Sequence, residues 1–366
     1  MRISKKSCNF VANQRKKTMK RILSLGYGKI EEYDKVKSCD LSSRFFYGMV
    51  ELQNKYEIYQ VSLFSKPGIK GFILNNIRTL QSCDIVFMAY MYVMPLFFLS
   101  ILKHLGLTRK QIVVVSHHTL EHSTNFIHNI IYKIIYSSID MILFHSPKNL
   151  NESVEIGLAK KEKVKIICWG EDLEFVDSHY KIYDNGYFIS TGRENRDFPF
   201  LIEAFAKSKA FLELYTNKQN YNNDYSCLDN VINKHPNIKI EFVGKDRDTM
   251  RILGQKTAES RCVVIPLIKE TVNYCVGLTS IVEAMAMGKP IISTPNPYSP
   301  IDLEKEGIGF YADTIEEWIK SINYLYDNPE QAHKMGKKAR ELAESSYNIL
   351  KLAKMLDNIF IDYCYK

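Results

Sequence analysis

The chain has 366 residues, of which 46% are hydrophobic and 25% charged, and a formal net charge of +8. That length exceeds the size at which one core keeps growing, so two domains are expected, and the composition is that of a globular protein. Eight basic side chains fall in residues 1–21 with no acid among them, and without them 41 basic residues face 41 acidic ones. So balanced a body lacks the electrostatic footprint of a nucleic-acid-binding protein.

Residues 1–18 read as a basic, disordered extension ahead of Met19, where Met19–Leu25 runs into a first strand. The N-terminus has no apolar run of the secretory type, so the eight cysteines are expected as free thiols in a reducing, cytoplasmic setting. They are scattered and form no C-x-x-C, which argues against a zinc ribbon or a redox pair. Strands are predicted at Arg21–Leu25, Ile58–Phe64, Asp84–Ala89, Ile112–Ser116, Met141–His145 and Val164–Cys168, and a helix at Phe126–Ser137. These strands are continuous apolar runs, the pattern of a parallel sheet covered on both faces. Ile85–Leu102 approaches membrane-spanning length, but Pro95 and a break near Tyr92 divide it into a strand and a helix over Pro95–Leu105. Phe97, Phe98 and Ile101 on that helix would suit a peripheral face toward membrane headgroups.

The composition turns polar around Asp177–Gly186, and a second series of strands follows at Tyr187–Ser190, Ile238–Val243, Val263–Ile265 and Ile291–Thr294. Tyr215–Ser226, rich in Asn and Tyr, reads as a surface loop. The last helical stretch, Met335–Tyr363, is long enough to cross back to the first domain. The expected fold class is α/β, with two Rossmann-like, doubly wound domains facing across a cleft. The expected boundaries are 1–18 for the extension, 19–178 for the first domain with the helix 350–366 packed back on it, and 179–349 for the second.

The stretch carrying most chemistry is Pro266–Thr294. A strand ends at Pro266, Gly277-Leu278-Thr279-Ser280 opens a helix, and Gly288-Lys289-Pro290 closes it before the next strand. Gly277 permits close backbone approach, and Thr279 and Ser280 are capping residues whose hydroxyls would face the free amides of the first turn. Such a helix start attracts phosphate. Glu283, one turn beyond Thr279, would then reach the ribose hydroxyls of a bound nucleoside diphosphate.

This stretch, with Glu283-Ala284-Met285-Ala286-Met287-Gly288-Lys289-Pro290, resembles the donor-binding motif of glycosyltransferase family 4 (the group 1 transferases). Ser190–Asp197 followed by Leu201–Phe205 resembles the family's strand–loop–helix, and Ile166–Phe175 its segment closing the first domain. The resemblance covers residues 164–345. It implies the GT-B fold, with 19–178 as the acceptor-side domain and 179–349 as the nucleotide-sugar donor domain. Carried over residue by residue, it gives Arg193 the place of the family's diphosphate-binding Arg and Glu283 that of the second Glu of its E-x7-E pair. Cys275 stands where the first Glu, associated with the donor sugar, is found. Phe198 stands where the family has a Lys, leaving Arg196 as the substitute cation.

Donor-binding candidates are therefore Gly28, Arg193, Arg196, Gly277, Leu278, Thr279 and Glu283, with Cys275 near the sugar. Gly28 belongs to Gly26-Tyr27-Gly28 after the first strand, in a loop the resemblance places beneath the donor phosphates. His118, in Ser116-His117-His118, is the candidate for the histidine that the family turns toward the cleft, with a register uncertain by one residue. Arg193, His118 and Glu283 are the candidate catalytic residues. His118 and His122 are spaced i, i+4, but no third ligand is evident, and Asp246-Arg247-Asp248 stands outside the context of a metal-binding D-x-D. No cofactor or metal is expected beyond the nucleoside-diphosphate sugar.

The resemblance implies a retaining transferase acting on a glycan or polyprenyl-linked acceptor, in surface polysaccharide biosynthesis at the inner face of the cell membrane. Two rivals share the fold: a nucleotide-sugar epimerase, and a non-catalytic glycosyltransferase-like partner protein, the latter favoured by Cys275 and Phe198. A Rossmann dehydrogenase leaves the helical donor motif unexplained.

Overall fold

A computed structural model of the chain describes residues 19–26, 32–62, 80–220, 223–244 and 246–364. The extension 1–18, residue Gly28 and the end of the strand expected at Ile58–Phe64 lie outside the described residues. The chain divides into two units. Unit 1 comprises Met1–Phe144, Leu150–Ile167 and Leu352–Lys366, and unit 2 comprises His145–Asn149 and Cys168–Lys351.

Unit 1 is built on a parallel sheet of β1 (Arg21–Gly26), β2 (Glu57–Ser62), β3 (Ile85–Met88), β4 (Gln111–Ser116), β5 (Met141–Phe144) and β6 (Val164–Ile166), in the order β2-β1-β3-β4-β5-β6. Every residue of β3 and β5 is buried, as continuous apolar strands require when both faces are covered. After α1 (Tyr33–Lys37), the helices α2 (Val93–His104) and α3 (Phe126–Ser138) follow β3 and β4 and pack against each other. The apolar run from Ile85 is thus a strand and a helix. Pro95 lies in the first turn of α2, where its missing N–H removes no helical bond. Among the described residues no helix is long and apolar enough to cross a membrane.

After α4 (Pro147–Glu155) and α5 (Leu173–His179), unit 2 repeats the scheme with β7 (Phe188–Ser190), β8 (Leu212–Thr216), β9 (Ile238–Phe242), β10 (Cys262–Ile265), β11 (Ile291–Ser293) and β12 (Gly309–Tyr311). The order β9-β8-β7-β10-β11-β12 is the 3-2-1-4-5-6 arrangement of a dinucleotide-binding sheet. Its helices are α6 (Phe198–Ala206), α7 (Arg247–Glu259), α8 (Leu278–Ala286), α9 (Ile315–Asp327) and α10 (Pro329–Ser346). α9 starts with a Thr314–Glu317 capping box and drives Trp318 into the core.

Three elements depart from the sequence reading. The supposed surface loop Tyr215–Ser226 begins inside β8, contains a small hairpin, and buries Thr216, Asn217 and Tyr225. The Asn217 amide group donates to the Val243 carbonyl and the Tyr225 hydroxyl accepts from the Arg196 amide, so composition misled. The long C-terminal helix breaks at Tyr347–Asn348, where the backbone pairs with Glu171 instead: the Glu171 amide donates to the Tyr347 carbonyl at 3.1 Å, and the Ile349 amide to the Glu171 carbonyl at 2.8 Å. The second half, α11 (Ile349–Cys364), is part of unit 1 from Leu352 onward. There Asp357 takes a bond from the Tyr56 hydroxyl at 2.9 Å and an ion pair from Lys55, while Phe360 packs edge-on against Tyr56 and Phe87. Finally, the change of unit falls at Ile167–Cys168 rather than at 178. The polar stretch Asp177–Gly186 begins in the last turn of α5 and continues as an exposed segment pinned to α7 by the Tyr183 and Asn185 amides and to Arg261 by Asp184.

Candidate active site

In an open parallel sheet, ligands sit outside the carboxyl ends of the strands, where the order reverses. In unit 2 that point lies between β7 and β10, so the loops following those two strands are the relevant ones. Both carry the candidate residues.

The loop after β7 is held by backbone bonds on both flanks. Arg196 bridges to Leu267, the Asp197 amide donates to the Pro266 carbonyl at 3.2 Å, and the Arg196 amide donates to the Tyr225 hydroxyl at 3.0 Å. Asn195 adopts a left-handed φ of 51°, a strained turn that tertiary bonds maintain. Asp197 then caps α6 by accepting from the Phe200 amide. This framework turns the Arg196 side chain inward, leaving it 4% exposed. Its guanidinium donates to the Glu194 carbonyl at 2.6 Å and to the Ser280 hydroxyl at 3.4 Å, while Nε has no acceptor. No carboxylate stands within ion-pair distance of it among the described residues, and burial lowers its pKa below the ordinary arginine value. Gly192 makes room for it, since a Cβ there would lie 2.1 Å from Nε.

The helix α8 faces this cation with its amide end. Its N-cap is Gly277, at a φ of 88° open to glycine, and no side chain caps it. The expectation that Thr279 and Ser280 cap the helix is therefore corrected. The helix starts one residue earlier, at Leu278, so Thr279 is exposed on the second position and Ser280 turns its hydroxyl to Arg196. The Leu278 amide donates to the Cys275 carbonyl at 3.1 Å and its side chain is buried, so Leu278 anchors the turn instead of offering a donor. Among the described residues the Thr279 and Ser280 amides have no carbonyl partner.

One turn along, Glu283 is half-buried and within electrostatic reach of Arg193. Arg193 itself is half-buried; burial lowers its pKa, opposed by the attraction of Glu283 and Asp246, and its guanidinium donates to the Gly244 carbonyl at 3.4 Å. Cys275, the residue expected near the sugar, is buried. It lies in the apolar cluster with Ile265 and Leu278, and burial pushes its thiol up to about 11, so it carries no charge near neutrality. Asp246 is the N-cap of α7, its carboxylate engaged by the Thr249 amide and hydroxyl. No group of three or more His, Cys, Asp or Glu able to hold a metal is found among the described residues.

Sequence reasoning missed the polar rim around this point. Ser190 Oγ, Thr216 Oγ1 and Asn217 Oδ1 are buried at or just beyond the ends of β7 and β8, without hydrogen-bond partners among the described residues. A Ser, Thr or Asn directly after an apolar run was the available signal. Glu194 and Tyr274 were also missed; burial first, and then the neighbouring Glu194 carboxylate, raise the pKa of the Tyr274 hydroxyl.

In unit 1 the strand order reverses between β1 and β3. After β3 and β4, Tyr90 stacks on His117 at 4.5 Å between ring centroids, and the Tyr47 hydroxyl joins them. His117 Nε2 lies 3.2 Å from the Ala89 carbonyl, which fixes that nitrogen as the protonated one. Burial lowers its pKa to about 4. The histidine packed into the fold is thus His117, while His118 is exposed.

Two parallel six-stranded sheets with flanking helices make this a GT-B architecture of two Rossmann-like units. Residues 187–342, most of unit 2 but less than half of the chain, match the family model of the glycosyl transferases group 1. Among solved structures, a glycosyltransferase from Rickettsia africae ESF-5 is similar with a TM-score of 0.69 at 14% identity, covering 94% of this chain and 99% of that one. HepE (Alr3699) of Anabaena in complex with UDP and glucose gives 0.65 at 14% identity over 94% and 100% of the two chains. The lipopolysaccharide outer core galactosyltransferase WaaB, in its apo form, gives 0.58 at 12% identity over 93% and 99%. No curated protein matches the sequence.

Proposed function

We propose that the protein is a retaining glycosyltransferase that moves a sugar from a nucleoside-diphosphate sugar to a glycan or polyprenyl-linked acceptor in surface polysaccharide assembly. The observation carrying this reading is Arg196, a buried guanidinium with no carboxylate partner among the described residues, beside the amide end of α8 at the strand-order reversal. An uncompensated buried cation costs several kcal/mol on the order-of-magnitude scale, a cost that an anionic ligand offsets. A diphosphate fits the group: Arg196 and the Thr279 and Ser280 amides meet its charge, with Arg193 at its flank.

As the sugar–phosphate bond breaks, negative charge grows on the leaving diphosphate, and these fixed donors stabilise it without reorganising. Two cations and two amides supply that stabilisation, so the reading asks for no divalent ion. Glu283, one turn from the helix start, accepts from the ribose hydroxyls. The similarity to proteins crystallised with UDP and glucose, and to a lipopolysaccharide galactosyltransferase, supports a UDP-sugar donor and a polysaccharide setting. Incubating the full chain with a panel of nucleotide sugars and glycan or polyprenyl-phosphate acceptors tests the proposal. The expected result is acceptor-dependent release of nucleoside diphosphate from one donor. Conversion of a nucleotide sugar to its epimer without acceptor, or no binding of any donor, overturns it.

A further inference from the structure

We propose that the amino edge of the second sheet carries a separate, non-catalytic binding site for a neutral sugar ring of a glycan chain; the inference does not depend on the transfer reaction. A cleft of about 730 Å³ opens there, within the size of small-ligand sites and at the end of the sheet opposite the loops that follow β7 and β10. Strand register sets its floor. Phe188 pairs with both Leu212 and Cys262, so the residues just ahead of them, Tyr187, Phe211 and Arg261, stand side by side across β8, β7 and β10. The Phe188 amide donates to the Phe211 carbonyl at 2.8 Å and the Arg261 amide to the Tyr187 carbonyl at 2.7 Å, which locks the row. Tyr326, at the end of α9, adds a further ring to the lining.

The chemistry of the lining selects the ligand. Phe211 and Tyr326 are each 38% exposed, so two aromatic side chains keep apolar surface in water. The face of a pyranose ring, made of C–H groups, covers such surface while its hydroxyls stay at the edge. For those hydroxyls the cleft offers a donor and an acceptor. Arg261 spends Nε on Asp184 and Nη1 on the Tyr326 carbonyl, and its Nη2 has no acceptor among the described residues. Gly186, at a φ of 82°, leaves Nη2 uncovered, since even a Cβ there would stand 3.5 Å from it. Glu213 engages Tyr215 and Lys256 through Oε2, and its Oε1 accepts no bond among the described residues. A guanidinium N–H and a carboxylate oxygen in one cleft suit vicinal hydroxyls, each of which both donates and accepts. The charges are balanced in place, Arg261 by Asp184, Glu213 by Lys256 and Asp327 by Lys209. Directional polarity without net charge, next to exposed rings, favours a neutral polyol over a phosphate or a peptide terminus.

Saturation-transfer NMR of the full chain with maltohexaose, cellohexaose and mannohexaose tests this. No nucleotide is present, so the outcome is separate from that of the donor assays. Wild type is expected to saturate the protons of at least one of these sugars, and Phe211→Ala to bind it about tenfold more weakly through loss of the stacking face. Glu213→Gln keeps the shape, removes the charge-assisted acceptor, and is expected to weaken binding about tenfold as well. Circular dichroism of both variants should remain that of wild type. Sugar binding that both variants leave intact would place the ligand elsewhere on the chain and overturn the proposal. So would saturation of none of the sugars, or a self-associated wild type that Phe211→Ala disperses.

Discussion

Replacing Arg196 by Met separates a ligand-binding cation from a structural one. The side chain keeps its length but loses its charge, its bond to the Glu194 carbonyl and its longer contact with Ser280. In the free protein those bonds stand against the desolvation of a guanidinium that is 4% exposed and, among the described residues, unpaired with any carboxylate. Hydrogen bonds to charged groups contribute about 1.5–3 kcal/mol each, desolvation costs several kcal/mol, and apolar replacements of buried ions are often neutral or stabilising. The unliganded variant should therefore melt within about 1 kcal/mol of wild type, roughly 2–4 °C for a domain of this size, or above it. Diphosphate binding should suffer: loss of one to two charge-assisted bonds costs about 3 kcal/mol, or roughly a hundredfold in affinity. Calorimetric titration with UDP, together with melting of the unliganded protein, measures both quantities. Unchanged UDP affinity with a melting temperature lowered by many degrees would show Arg196 to be a structural residue and remove the basis of the proposal.

Gly192→Ala places a Cβ 2.1 Å from Arg196 Nε and should displace the guanidinium, so diphosphate affinity should fall nearly as far as in Arg196→Met, with little added effect in the double variant; additive losses would separate the two residues. Glu283→Ala should weaken donor binding by about a hundredfold through the ribose contacts while the fold, followed by circular dichroism, persists; wild-type affinity for every nucleotide sugar would dismiss that role. Arg193→Ala should weaken nucleoside diphosphate binding more than nucleoside binding, and equal losses in parallel titrations would exclude a phosphate contact. His117, held at a pKa of about 4 against 6.5 unfolded, binds fewer protons folded than unfolded between those values. Stability should thus be full above pH 6.5 and decline as pH falls toward 4, by about 3 kcal/mol at most. His117→Phe should flatten that portion of the pH–stability curve in urea titrations, and an unaltered curve would place the titration elsewhere.

The central strands of both units were legible because parallel strands covered on both faces are apolar throughout, as in IVFM at 85–88 and CVVI at 262–265. β8 and β12 were not: LELYT alternates with charge, and GFY is too short to stand out. The helix start at Leu278 was readable from Gly277, yet the capping role assigned to Thr279 and Ser280 failed because the glycine itself occupies the N-cap. Burial of Arg196 left no trace in the sequence. It depends on Gly192, Ser280 and the Tyr225 hydroxyl, residues brought together by β7, α8 and a hairpin that composition alone presented as a solvated loop. His117 and His118 illustrate a similar limit, since which of two adjacent residues turns to Tyr90 is decided by strand register and the neighbouring loop.

The central claim is that the carboxyl edge of the second sheet grips a pyrophosphate. Side-by-side calorimetric titration of the full chain with nucleoside diphosphates and with the matching bare nucleosides addresses it most directly. For at least one base, the diphosphate is expected to bind about a hundredfold more tightly than its nucleoside. Equal affinities for the two, or no heat from any diphosphate, would contradict it.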